Sequence, residues 1–218
     1  MTGKDGSQNI CQSALILGGG TGSRLGYDKK TLTLHGVSVL DGLITTLAGI
    51  FPHVLLSCRA DSVAPDRRVT VVPDILGAGS LAGIYAGLCA GTGDYLFVCA
   101  CDMPFVNADF IRYAAALIKA DAEDAARAAP KDIYIYRAAP KPGQKNAGYE
   151  PFNAFYRTTL AHSARAALEK GAYKLTPFIE SASLRLFDAE EIARFGGETM
   201  FWNINNAEDL RRAEALRP

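Results

Sequence analysis

The junction at Leu17 constrains this fold more than any other feature. Ser13–Leu17, SALIL, is a short apolar run that stops at three glycines, Gly18–Gly20. A run this short and continuous reads as a strand buried on both faces, and such strands belong to parallel sheets covered by helices. The rest of the chain alternates accordingly. Val37–Phe51 sets Leu40, Leu43, Ile44 and Leu47 at helical spacing and leads into an apolar strand, His53–Ser57. Val69–Val72 is a β-branched run, and Leu81, Ile84, Tyr85 and Leu88 space as a helix before the apolar strand Tyr95–Ala100. Beyond it the pattern predicts helix over Ala108–Ala126, strand over Asp132–Tyr136, loop over Ala138–Tyr149 and strand over Phe152–Tyr156. A helix over Thr159–Lys170, a strand over Leu184–Phe187 and a closing helix over Ala207–Leu216 complete it. This pattern predicts an α/β fold: one three-layer domain, a mostly parallel sheet, helices on both faces and right-handed crossovers. With 218 residues, one domain is expected over 13–218, after a flexible N-terminal tail at 1–12. Ligands of such sheets bind at the carboxyl ends of strands, where the strand order switches.

The run LGGGTGSRLGYDKK, Leu17–Lys30, carries the chemistry. Glycines let a backbone approach an anion closely and present its N–H groups, while Arg24 and Lys29 add a planar fork and a movable point charge. The arrangement suits a polyphosphate. Two familiar motifs are excluded by spacing. Five residues beyond Gly18 and Gly20 stand Ser23 and Leu25, where the dinucleotide fingerprint needs glycine, and neither Gly22 nor Gly26 is followed by the lysine of a P-loop.

Charge narrows the partners further. Lys plus Arg number 23 against 23 Asp plus Glu, so a protein devoted to neutralising nucleic-acid phosphates is disfavoured. Lys29 with Lys30, and Lys141 with Lys145, remain local basic spots for a small anion or for solvent. No apolar stretch approaches the roughly 20 residues of a membrane span, and the first dozen residues lack a secretory apolar region, so a cytoplasmic protein is expected. The five cysteines, at 11, 58, 89, 99 and 101, have no Cys-x-x-Cys spacing and are expected to be reduced and buried, with no metal site or disulfide. His35, His53 and His162 belong to no catalytic pattern, and structural roles are expected for them.

The glycine run resembles, residue by residue, the signature L-x-G-G-x-x-x-R-M-G-x-D-K of the nucleotidyltransferase superfamily, whose members activate small molecules as nucleotide conjugates. Further pieces agree in order: VPD at Val72–Asp74, GSLAGIYAGL at Gly79–Leu88, CACDMPF at Cys99–Phe105 and WNINNAEDL at Trp202–Leu210. Together they are most similar to the molybdopterin branch, the molybdenum cofactor guanylyltransferases, and they span nearly the whole chain. The resemblance implies a Rossmann-like nucleotidyltransferase fold and transfer of GMP from GTP to the phosphate of molybdopterin, with release of pyrophosphate. It implies that Leu17, Gly18 and Gly19, with Gly20 and Gly22 in the same loop, hold the guanine and ribose side of GTP. Arg24 and Lys29 would meet its phosphates, Asp74 would sit in the guanine pocket, and Asp102 would bind Mg2+ with help from Asn205. Arg24, Lys29 and Asp102 are thus the catalytic candidates, and other cofactor-biosynthesis proteins are conceivable partners. Three departures stand out: a missing glycine before Tyr27, Ser80 where proline is common, and Glu150-Pro151 in place of His-Pro. A relative using CTP or another phosphorylated acceptor, and a binding protein without turnover, stay open on sequence grounds. The Lys141–Lys145 loop is either a contact to the pterin phosphate or solvated surface.

Overall fold

The computed structural model describes residues 10–18, 31–58, 64–73, 79–123, 129–139 and 148–216. Its centre is a seven-stranded sheet in the order β5-β4-β1-β6-β8-β7-β9. The strands are β1 (Ser13–Leu17), β4 (His53–Cys58), β5 (Val69–Pro73), β6 (Tyr95–Ala100), β7 (Ile133–Ala138), β8 (Gly148–Arg157) and β9 (Leu184–Phe187). β4, β1 and β6 are parallel neighbours, as are β4 and β5, and β7 and β9; only β8 runs against both strands beside it. The expected mostly parallel α/β sheet is therefore present.

Residue alternation divides this sheet between two cores. Ala14 and Ile16, Phe97 and Cys99, and Tyr134 and Tyr136 face one layer, while Leu15 and Leu17, Leu96 and Val98, and Ile133 and Ile135 face the other. That is the period-two pattern of strands buried on both sides. The first layer holds helices α1 (Val39–Ala48), α3 (Ala108–Glu123), α6 (Ala189–Ala193) and α7 (Ala207–Ala215). The second holds α2 (Ser80–Ala90), α4 (Ala161–Glu169) and α5 (Leu175–Glu180). A Cβ at Gly87 would come within 2.5 Å of Leu15 Cδ2, so this glycine sets how closely α2 lies on β1. No helix among the described residues is long and apolar enough to cross a membrane.

Several boundaries differ from the sequence expectation. α1 begins at Val39, because Val37–Ser38 (β3) pairs with Thr33–Leu34 (β2) and the Ser38 hydroxyl caps the helix, accepting from the Asp41 N–H at 3.1 Å. The stretch 138–149 is not all loop: β7 runs to Ala138 and β8 starts at Gly148, its alternation hidden by Pro151 and by a register shift opposite Tyr134–Tyr136. α5 and α6 were not expected; α6 is announced by a reciprocal cap between Asp188 and Glu191. Of the expected tail 1–12, residues 10–12 are held in the fold, since the Ile10 carbonyl accepts from Asp94 and Tyr95, Cys11 bridges Gly93, and the Gln12 carbonyl accepts from His53. Residues 1–9 lie outside the described ones. All five cysteines are free thiols, but Cys89 is exposed rather than buried, because it falls on the outer side of α2.

Candidate active site

Strand order reverses beside β1: the chain places β4 on one side of it and β6 on the other. The carboxyl ends of β1, β4 and β6 are in register there, Leu17 standing between Ser57 and Ala100. Gly18 donates its N–H to the Ser57 carbonyl at 2.8 Å, and a Cβ at Gly18 would lie 2.9 Å from Leu56 Cδ1 and 3.0 Å from that same carbonyl. A side chain here would press on both. On the other side, the Cys101 N–H donates to the Leu17 carbonyl at 3.1 Å, so the turn that carries Asp102 is bonded to the end of β1. Leu17, Gly18 and Asp102 thus meet at one edge. Gly19, Gly20, Gly22, Arg24, Lys29 and Asp74, with Lys141 and Lys145, lie outside the described residues. Pro73, which precedes Asp74, closes β5 beside Cys58 at the same edge of the sheet.

Asp102 is buried, 3% exposed, and its carboxylate is oriented from the far end of the chain. Asn203 Nδ2 donates to Asp102 Oδ1 at 3.0 Å, and the Ile204 N–H donates to the Asp102 carbonyl at 2.9 Å. Asn205 belongs to the same segment, its own N–H held by Asp209 Oδ2 at 2.9 Å and its side chain donating to the Asn203 carbonyl at 3.4 Å. Asn203, which the sequence reading did not single out, thus bonds the Asp102 carboxylate, and Asn205 lies two residues beyond it. In WNIN, Ile204 is buried in the core, and Asn203 and Asn205 on either side of it are less buried.

Mg2+ is commonly held by one or two carboxylates together with substrate phosphates and water, not by an all-protein cage. A single buried carboxylate beside an asparagine-rich segment fits that donor set. No group of three or more His, Cys, Asp or Glu able to hold a metal occurs among the described residues.

Next to Asn203 opens a pocket of about 560 Å³, lined by Tyr136, Glu150, Glu198, Trp202, Asn203 and Asn205 among others. Trp202, 40% exposed, packs its ring edge-on to Phe105, which follows the Asp102 turn. The Tyr136 ring stacks on Phe201 and its hydroxyl donates to Glu198 Oε1 at 2.7 Å; burial and that carboxylate push the phenol up to about 12. The Glu150 that replaces the common histidine sits opposite Tyr136 in the sheet register.

Residues 14–185 match the family model of the MobA-like NTP transferase domain. The chain belongs to the MobA-like NTP transferases. A probable molybdenum cofactor guanylyltransferase of Peptoclostridium acidaminophilum is 30% identical over 94% of this chain and 89% of its own. A molybdenum cofactor guanylyltransferase of Syntrophotalea carbinolica is also 30% identical, over 92% and 89%. The crystal structure of molybdopterin-guanine dinucleotide biosynthesis protein A from Archaeoglobus fulgidus superimposes with a TM-score of 0.74 at 24% identity, covering 94% of this chain and 97% of that one. A 2-C-methyl-D-erythritol 4-phosphate cytidylyltransferase from Thermus thermophilus shares the fold at a TM-score of 0.63 and 18% identity, covering 94% and 97%. As a MobA-like NTP transferase, the protein is a nucleotidyltransferase, and the resemblance read from the glycine run and its companion motifs holds at the level of the family.

Proposed function

We propose that this protein transfers GMP from GTP to the terminal phosphate of molybdopterin, giving the guanine dinucleotide form of the cofactor and pyrophosphate. The observation that carries the reading is Asp102, buried at the switch point between β1 and β6 and oriented by Asn203. On one side of it, Leu17 and Gly18 open the glycine loop, whose Gly19, Gly20 and Gly22 would hold the nucleotide, with Arg24 and Lys29 on its phosphates and Asp74 toward the base. On the other side, the pocket lined by Trp202 and Glu150 has room for a flat, polar acceptor. Asp102 would hold Mg2+ with Asn205 nearby, and the bound metal would neutralise phosphate charge between nucleotide and acceptor.

The reaction asks the protein for alignment more than for proton transfer. A phosphate monoester has a second pKa of about 6, so the attacking oxygen is already ionised at neutral pH. That oxygen forms a bond to the α-phosphorus of GTP while the bond to the pyrophosphate oxygen breaks, the electron pair leaving with pyrophosphate. No general base is required, and no histidine has been placed to serve as one. His53 stands at the amino end of β4, away from the site edge, His162 is in the first turn of α4, and the His35 ring lies 3.3 Å from the Leu216 carbonyl. We infer a cytoplasmic reaction, where GTP is made. Pyrophosphate release measured with molybdopterin, Mg2+ and each of GTP, CTP and ATP tests the proposal. GTP should be used at least tenfold better than the others, a discrimination of about 1.4 kcal/mol. Equal use of CTP would overturn the assignment of guanine.

A further inference from the structure

Asn153, in the middle of β8, has a left-handed backbone with φ of 62°. Few residues other than glycine adopt it, although asparagine tolerates it better than most. The side chain is 1% exposed. One end of its amide is used, Nδ2 donating to the Met200 carbonyl at 3.3 Å. The other is buried, and no donor among the described residues reaches Oδ1. A left-handed non-glycine residue and an unsatisfied buried acceptor each destabilise the folded chain. Both burdens fall on the residue that ties β8 to the 3-10 turn Gly197–Phe201.

That turn leads directly to Asp102. Trp202 donates its N–H to the Thr199 carbonyl at 3.1 Å, Asn203 then reaches the Asp102 carboxylate, and the Ile204 N–H holds the Asp102 carbonyl. The segment 200–204 is therefore anchored by Asn153 at one end and by Asp102 at the other. Local strain persists where surrounding structure enforces it, and such residues cluster at functional sites. We propose that Asn153 is a positioning residue: by holding the Met200 carbonyl, it fixes the segment from which Asn203 orients the Asp102 carboxylate. The inference rests on the reading that Asp102 serves the transfer step.

Asn153→Gly separates this role from a purely structural one, because glycine accepts the left-handed backbone and removes both the orphaned oxygen and the bond to Met200. Its Tm should stay close to that of wild type, because relief of the strained backbone and of the orphaned oxygen offsets the donor lost to the Met200 carbonyl, and its Kd for GTP should stay within twofold. Turnover with saturating GTP, Mg2+ and molybdopterin should fall about tenfold, since small misplacements at a reacting centre are expensive in rate. In an Asn203→Ala background the same change should cost less than about twofold, because the coupled partner is already gone. Turnover of Asn153→Gly within twofold of wild type, or an undiminished tenfold loss in the Asn203→Ala background, overturns the proposal. So does a loss of activity matched by a fall in folded fraction. Asp102→Asn serves as the control: if it keeps wild-type turnover the transfer reading itself fails, whereas its inactivity beside a fully active Asn153→Gly defeats only the inference about Asn153.

Discussion

The two sides of the crevice at β1 are made of different material. Toward β4, the described contacts are main chain: the Gly18 N–H donates to the Ser57 carbonyl at 2.8 Å, and a Cβ at Gly18 would lie 3.0 Å from that same carbonyl. Toward β8, they are side chains: Glu150, Glu198, Trp202 and Asn203 around a 560 Å³ pocket. Backbone geometry changes little under substitution, so the first side suits a ligand part shared across a superfamily. Side chains can be exchanged one at a time, so the second suits the part that differs between relatives. The Glu150 departure falls on the second side.

Asp102 stands between the two sides, and its loss should have the largest effect. Asp102→Asn keeps the size and one oxygen while deleting the charge, and turnover should drop by about 10² to 10³ with GTP binding largely retained. A pyrophosphate-release assay at saturating substrates checks it, and a turnover within threefold of wild type would leave Asp102 a structural role, accepting from Asn203, that asparagine fills equally well. Gly18→Ala comes next. Its methyl group would press on Leu56 Cδ1 and the Ser57 carbonyl, the second of which is backbone and cannot swing away. A loss of about 1–3 kcal/mol in stability is expected from such overpacking. Weaker GTP binding in calorimetry should accompany it; unchanged Tm and Kd would show that the backbone side is not rigid.

A smaller effect is expected across the crevice. Glu150→Gln removes a carboxylate that could accept from the ring N–H and amino groups of a pterin, while keeping the size. The acceptor KM should rise by roughly three- to tenfold, with kcat and the GTP Kd unchanged, the pattern of lost uniform binding. A change in GTP affinity instead would erase the distinction between the two sides.

The same contrast explains what could be read from the sequence. The ends of β1 and β6 were legible to the residue, since continuous apolar runs bounded by glycine or aspartate leave little freedom, and those of β9 followed from the short alternating run LRLF. Leu17, Gly18 and Asp102 were legible for the same reason: motif and strand end coincide. β8 was hidden in its first half because Pro151 and left-handed Asn153 break the alternation by which a strand is recognised. Asn203 was hidden because its partner lies 101 positions away, and no local pattern records a contact made by the returning chain.

The smallest effect is expected behind the acceptor side, where its support is ionic. Arg185 of β9 and Glu191 of α6 pair through two oxygens, one of them at 2.8 Å, and the Tyr113 hydroxyl of α3 donates to the same carboxylate at 3.0 Å. The Arg185 guanidinium, foremost, holds the Glu191 carboxyl down to about 2, against an ordinary value of 4.5. A carboxyl lowered on folding stabilises the native state fully above the unfolded value and loses that contribution as pH falls toward the folded one. The window is therefore between pH 4.5 and about 2. Glu191→Gln should lower Tm modestly at neutral pH, because a partly exposed pair is screened by solvent, and the gap from wild type should close as pH falls through that window. Since α6 leads into the 3-10 turn that carries the acceptor side, acceptor KM should shift slightly while the GTP Kd stays constant. A Tm gap that persists unchanged at pH 2 would assign the effect to packing of α6 rather than to the ion pair. Equal shifts in acceptor KM and GTP Kd would mean that the two sides of the crevice share one support.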